Sequence, residues 1–270
     1  MTELAYTPDE IMTIAAARRL VGTAVCFVGI GLPSAAANLA RLTHAPNLVL
    51  IYESGAIGAK PTVLPLSIGD GELAETADTV VSVSEIFNYW LQGGRIDLGF
   101  LGAAQIDRVG NINTTVIGGS YEAPKVRLPG AGGASEIASG AREVLIIVRH
   151  ARRAFVPALD FVTSSGFWLD SQGRPMPTRH GRGPTTVISD LAVLHSDPAT
   201  KELVLHSLHP GVSIEQARQA TGWELRSVAH PSTTPPPSAS ELAALRGLYA
   251  RTAAAHQLGS APDPAAVNSR

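Results

Sequence analysis

Two short apolar runs separated by a helix-length stretch constrain this chain most. Thr23-Ala24-Val25-Cys26-Phe27-Val28 is apolar and partly β-branched, and Leu48-Val49-Leu50-Ile51 repeats that character. Neither alternates with polar residues and each is too short for a buried helix, so both read as strands covered on two faces. Gly29-Ile30-Gly31-Leu32-Pro33 lies between them. The glycines make a turn, and Pro33 with its fixed φ opens a helix through about Leu42. The product is a βαβ unit, which requires a parallel sheet with helices packed on it. The turn itself has two readings, a phosphate cradle or a tight βα turn with no ligand. A dinucleotide fingerprint would have a third glycine where Ser34 stands and an acid about twenty residues on, and that acid has no counterpart.

The second strand stops at Tyr52-Glu53-Ser54-Gly55-Ala56-Ile57-Gly58. An acid fixed by a strand end, with glycines after it that let a substrate approach, suits a nucleophile or a general base. The alternative is a strand-end acid facing water. Leu128-Pro129-Gly130-Ala131-Gly132-Gly133-Ala134-Ser135 is the other informative stretch. Its glycines form either a nest of N–H groups able to hold an oxyanion or a flexible connection before a helix from about Ser135 to Gly140.

Elsewhere, Thr7 caps a helix from Pro8 to about Leu20, with Glu10 placed for a capping box. Ser67 to Glu72 reads as a loop. Ser84 caps a short helix with Ile86, Phe87, Trp90 and Leu91 on one apolar face, and Gly93-Gly94 end it. Strands are expected at Ile96–Ala103, Val144–Val148, Phe155–Val162, Thr185–Leu194 and Leu203–Ser207. Gln105 to Asn113 is a turn carrying Asn111 and Asn113, and Gly166 to Gly183 a surface loop with Arg174, Arg179, His180 and Arg182. Ser213 and Gln216 cap a helix that stops at Gly222. One domain is expected over residues 1–230. A Pro/Ser/Thr linker (231–240), a helix (241–258) with Leu242, Leu245 and Tyr249 on one side, and a disordered tail (259–270) follow.

A formal net charge of −2 offers no basic field for nucleic acid. The single Cys26 excludes an internal disulfide and a cysteine zinc site and fits a reducing cytoplasm. No metal site is expected: His206 and His209, at an odd spacing in extended chain, face opposite ways. No apolar run approaches the roughly 20 residues that span a bilayer, so no membrane is expected.

Taken together, these motifs resemble the B subunit of the class I coenzyme A transferases over nearly the whole chain, to about His256. The likeness rests on Val28-Gly29-Ile30-Gly31-Leu32-Pro33, Glu53-Ser54-Gly55, Gly110-Asn111-Ile112-Asn113, Gly130-Ala131-Gly132-Gly133-Ala134 and His209-Pro210-Gly211-Val212. Ile51 to Gly55 and Gly69 to Asp78 are similar to the longer B-subunit type, which acts on glutaconate and 3-oxoadipate. The short 3-oxoacid type has Ser before the Glu and Asn after it, where this chain has Tyr52 and Ser54. The resemblance implies an open, largely parallel α/β sheet flanked by helices, a separate A subunit in an α2β2 heterotetramer, and no cofactor beyond the coenzyme A of the substrate. It implies Glu53 as nucleophile, the backbone of Gly132 and Gly133 as oxyanion donors, and Gly29, Gly31, Ser54, Gly55 and Asn113 as substrate or CoA contacts. The implied reaction passes CoA from succinyl-CoA to 3-oxoadipate through a glutamyl-CoA thioester. A glutamate is anionic at neutral pH, so no neighbouring base is required. A glutaconate-type transferase, an acyl-CoA hydrolase, and a non-catalytic nucleotide-binding or partner subunit are the alternatives.

Overall fold

A computed structural model describes residues 5–169, 175–176 and 181–259. α1 (Pro8–Arg18) begins with the expected box: the Glu10 N–H donates to the Thr7 hydroxyl at 3.2 Å and the Thr7 N–H to the Glu10 carboxylate at 2.8 Å. β1 (Val25–Val28), α2 (Leu32–Leu42) and β2 (Val49–Ile51) then form the βαβ unit, with Cys26 opposite Leu50 in a parallel pair. β3 (Ala56–Ile57), α3 (Gly71–Glu75), β4 (Thr79–Val80) and α4 (Val83–Glu85) follow, and α4 runs straight into a π-turn over Ile86–Leu91. β5 (Leu98–Gly102) leads to the hairpins β6 (Gln105–Ile106) with β7 (Ile112–Asn113) and β8 (Val116–Gly119) with β9 (Pro124–Arg127). α5 (Ala134–Gly140), β10 (Glu143–Ile147), the short pair β11 (Trp168–Leu169) and β12 (Pro175–Met176), β13 (Pro184–Ile188), β14 (Ala192–Ser196), β15 (Leu203–Leu208), α6 (Ile214–Ala220), β16 (Ser227–Thr233) and α7 (Ala239–Gly259) complete the described chain.

Ten strands make one sheet in the order β16-β15-β14-β13-β10-β5-β1-β2-β3-β4. From β13 to β2 every neighbour is parallel, and antiparallel strands join on both flanks. Alternation along the central strands feeds two cores. Cys26, Val28, Leu50, Tyr52 and Phe100 pack against α1, α2 and α7, whereas Phe27, Ile51, Leu101 and Ile146 pack against the π-turn and α5. Leu242 and Leu245 of α7 are buried and Tyr249 packs beside them, as expected. No helix among the described residues is long and apolar enough to cross a membrane.

Several segments depart from expectation. Phe155–Val162 is not a strand: Phe155 makes a single bridge to Ile106, and Pro157, lacking an N–H, then breaks the ladder. Thr185–Leu194 is two strands joined by a turn at Ser189 to Leu191, not one. The short helix is capped by Ser82, not Ser84, and Asp70 within the expected loop caps α3. Pro231–Ser238 is no linker. Its first residues finish the edge strand β16, where prolines are tolerated, and the Thr234 N–H donates to the Leu208 carbonyl at 2.8 Å. Arg18 donates to the carbonyls of Pro235 and Pro236 at 2.6 and 2.9 Å. Arg182 pairs with Glu143. Arg174, Arg179, His180 and residues 260–270 lie outside the described residues.

Candidate active site

Strand alternation sends Tyr52 and Glu53 to opposite faces of the sheet. Tyr52 is fully buried against α2, its hydroxyl sharing a hydrogen bond with the Ser34 hydroxyl at 3.0 Å and accepting one from the Asn38 amide at 3.2 Å. Burial pushes its pKa up to about 12, against those hydrogen bonds, so it stays neutral. That network ties the end of β2 to α2. Glu53 therefore emerges half-buried on the other face, at the tip of the turn into β3.

There it meets the glycine-rich loop. The Gly133 N–H donates to Glu53 Oε2 at 3.1 Å. Gly132 has φ +48°, and a β-carbon built on it would stand 3.3 Å from the same oxygen. The Gly133 amide and the open side-chain position of Gly132 thus both face the carboxylate. Gly133 has no room for a side chain, since its β-carbon would lie 2.5 Å from the Phe87 ring.

The loop is clamped upstream. The Gly130 N–H donates to the Thr114 carbonyl at 2.9 Å, and the Thr114 hydroxyl returns a bond to the Gly130 carbonyl at 2.9 Å. Asn113 organises that clamp. Its amide group donates to Gln105 Oε1 at 2.8 Å and to the Val116 carbonyl at 2.6 Å, and its oxygen accepts from the N–H groups of Thr115 and Val116. With all four positions occupied and no exposed surface, Asn113 supports the site from within the fold instead of contacting a ligand.

Gly55 and Gly58 also have a different reason from easy approach of a substrate. Gly55 has φ +107° and a β-carbon there would strike the Val81 carbonyl; Gly58 has φ +67° and would strike the Asp78 carboxylate. Both make room for the neighbouring chain around β4. Ser54 sits half-buried beside Glu53 at the turn. Gly29 donates its N–H to the Phe100 carbonyl at 3.0 Å, and Gly31, with φ +85°, caps α2.

The central order β5-β1-β2 reverses the direction of winding between β5 and β1, and a crevice is expected at the carboxyl ends of strands there. A cleft of about 390 Å³ occupies that place, lined by Ile30, Pro33, Gly102, Ala104, Arg149 and Arg153 among others. Glu53 follows the next strand and is not part of its lining. The two arginines come from the run after β10, which carries no motif in sequence. Phe87 and Thr114 give no functional signal in sequence either, because their importance lies in what they touch across the fold. His206 is exposed and His209 buried, on opposite sides as the spacing predicts. Among the described residues no group of three or more acids, histidines or cysteines is placed to hold a metal.

A carboxylate held by a backbone N–H at the end of a rigid strand is placed to act as a nucleophile toward a carbonyl carbon. Comparison with known proteins bears on this geometry. The family model described as Coenzyme A transferase matches residues 9–220. The B subunit of the 3-oxoadipate CoA-transferase of Pseudomonas knackmussii is 62% identical over 252 residues, covering 93% of this chain and 96% of that one. The crystal structure of glutaconate coenzyme A-transferase from Acidaminococcus fermentans superposes with a TM-score of 0.80 at 30% identity, over 89% of this chain and 94% of that one. The decarboxylase AibA/AibB superposes at 0.76 and 28% identity, over 92% and 96%.

Proposed function

The chain belongs to the coenzyme A transferase family as a class I B subunit, and on that premise we propose that it carries CoA from succinyl-CoA to 3-oxoadipate on Glu53. The observation that carries the reading is the Gly133 N–H on the Glu53 carboxylate, with Gly132 facing the same oxygen. A Glu53 oxygen attacks the thioester carbonyl, and the oxyanion that forms is held by the glycine backbone. One such donor is typically worth about 3 kcal/mol. Collapse breaks the C–S bond and leaves an acyl-glutamyl anhydride and CoA thiolate. The thiolate attacks the Glu53 carbonyl, which releases succinate and forms a glutamyl-CoA thioester. The acceptor carboxylate attacks that thioester and expels the thiolate, which then takes the acyl group from the new anhydride and frees Glu53. Ping-pong kinetics follow from two half-reactions sharing one covalent intermediate.

The acceptor is assigned from the relative that is 62% identical, whose name specifies 3-oxoadipate. Its designation as a B subunit calls for an A subunit, and we propose an α2β2 assembly in which that partner supplies a second oxyanion donor. The single, buried Cys26 supports placing the reaction in the cytoplasm.

The assembled complex, incubated with succinyl-CoA and digested, is expected to yield a CoA adduct on the peptide bearing Glu53. Full turnover with Glu53 unmodified would overturn the covalent route. Glu53→Gln is expected to lower transfer by at least about a thousandfold, and Glu53→Asp nearly as much, because one methylene withdraws the carboxylate beyond the tolerance of such geometry. Release of free CoA without an acceptor acid would assign hydrolysis to the site instead.

A further inference from the structure

Phe87 stands against the one loop whose placement the chemistry needs. Its ring leaves no space for a β-carbon on Gly133, where the ring atoms Cζ and Cε1 would lie at 2.5 and 2.8 Å. The ring also meets the fully buried Phe27 of β1, with centroids 5.9 Å apart. Gly133 is therefore braced through Phe87 onto the central sheet, while Thr114 holds Gly130 at the start of the same loop. The Gly133 N–H reaches Glu53 between these two supports.

The element that carries Phe87 is irregular for a reason. The Gln92 N–H reaches back five residues to the Phe87 carbonyl at 2.8 Å, and the Arg95 N–H does the same to Trp90 at 2.9 Å. Ile86 and Leu91, five residues apart, are both wholly buried. In an α-helix residues five apart would stand about 140° away from each other around the axis. The wider turn narrows that angle and lets both anchor in the core, so Phe87 is fixed by two buried neighbours of its own element. Such turns often occur at functional sites.

We propose that Phe87 is a positioning residue of the transfer reaction: held by the π-turn and Phe27, it sets the Gly133 amide at the distance from Glu53 that the reaction requires. The proposal rests on the reading of Glu53 as nucleophile. It also explains why Gly133 is glycine although its φ of −88° suits any residue.

The test uses the complex with its A subunit and reads kcat, KM and the single-turnover rate of CoA adduct formation on Glu53. Phe87→Ala is expected to lower kcat and the adduct rate by about 10- to 100-fold while KM changes by less than about threefold. Phe87→Leu, which keeps most of the bulk, should recover to within about threefold of the parent. Gly133→Ala retains the N–H but puts a methyl on the ring, and should fall as Phe87→Ala does. The double variant Phe87→Ala/Gly133→Ala then has room for the methyl, so its rate should exceed the product of the single effects by about tenfold. Independent multiplication in the double variant, or a parent-like adduct rate in Phe87→Ala, would overturn the proposal and leave Glu53 in place. A parent complex that turns over without an adduct would instead overturn the reading of Glu53, and the proposal with it. Should Phe87→Ala fail to fold, Phe87→Leu against Gly133→Ala decides: both at the parent rate would refute the positioning role.

Discussion

At Glu53 two adjacent residues divide the work of placing one carboxylate. Tyr52 fixes the backbone by burying its ring and hydroxyl under α2, and strand geometry then leaves the next side chain one direction to take. The glycine at position 55 turns the chain back at φ +107° with the Val81 carbonyl where a methyl would have to go. Gly55→Ala should therefore combine left-handed strain with a backbone clash. The expected loss is about 2–4 kcal/mol of stability, read as a lower urea midpoint. A loss of activity alone, with the midpoint unchanged, would mean that Gly55 serves the ligand and not the turn. The cysteine one strand away needs no such account. Cys26 is buried in β1, and burial raises its thiol pKa far above neutrality, so it is inert in the chemistry.

At the scale of elements, the loop from Gly130 to Gly133 depends on hairpins that precede it. Asn113 closes β7 with four hydrogen bonds and so sets Thr114, which clamps Gly130. Asn113→Ala leaves buried partners unsatisfied and should cost about 2–4 kcal/mol. It should also lower kcat more than it raises KM, because the glycine amides lose their upstream support; unchanged kinetics in a destabilised variant would disprove that link. How far these elements can be read from sequence depends on where their partners lie. The βαβ unit, the capping boxes at Thr7 and Ser213, and the strand ending at Glu53 are local patterns, and all are legible. The π-turn is not, because its residue spacing resembles an amphipathic helix and only two buried side chains five apart distinguish it. Pro231 to Ser238 misleads for a related reason. A run of prolines reads as a linker, whereas here its carbonyls accept from Arg18 and its first residues close the sheet edge. Glu53 is legible as a candidate, but its partner glycines lie 80 residues away and are joined to it in sequence through the family pattern alone.

Across the whole molecule the sheet supplies a frame and leaves the reaction to what stands at its strand ends, since a decarboxylase shares the frame with a glutaconate transferase. That frame has an acid-sensitive half. His150 is stacked on Phe155 with ring centroids 3.8 Å apart and hydrogen-bonded to Ser189 and Thr221 at 3.0 and 2.9 Å, so it joins the end of β10 to the β13–β14 turn and to α6. Burial pulls its pKa down to about 4. His195, half-buried between Thr186 and the edge-on ring of His206, is pulled down to about 4 as well, by desolvation first and then by the charges of Arg19 and His206. Both are neutral in the fold, while an unfolded chain protonates its histidines below about pH 6.5. Folding is thus favoured in full above pH 6.5 and loses this contribution as the pH falls toward 4, by about 3 kcal/mol at most from His150. Glu10 and Glu241 act in a lower window. The hydrogen bond from Arg246 holds the Glu10 carboxyl below its ordinary value, and for Glu241 burial is outweighed by Arg18 and Ser238, which draw it to about 2. Their ties between α1 and α7 therefore survive to below pH 4.5 and fail only as the pH falls further. Urea midpoints should drop between pH 7 and pH 5 in the parent, and His150→Gln should reduce that slope while lowering stability at pH 7. A slope between pH 7 and pH 5 unchanged by His150→Gln and His195→Gln together would mean that other groups set the acid limit of this fold.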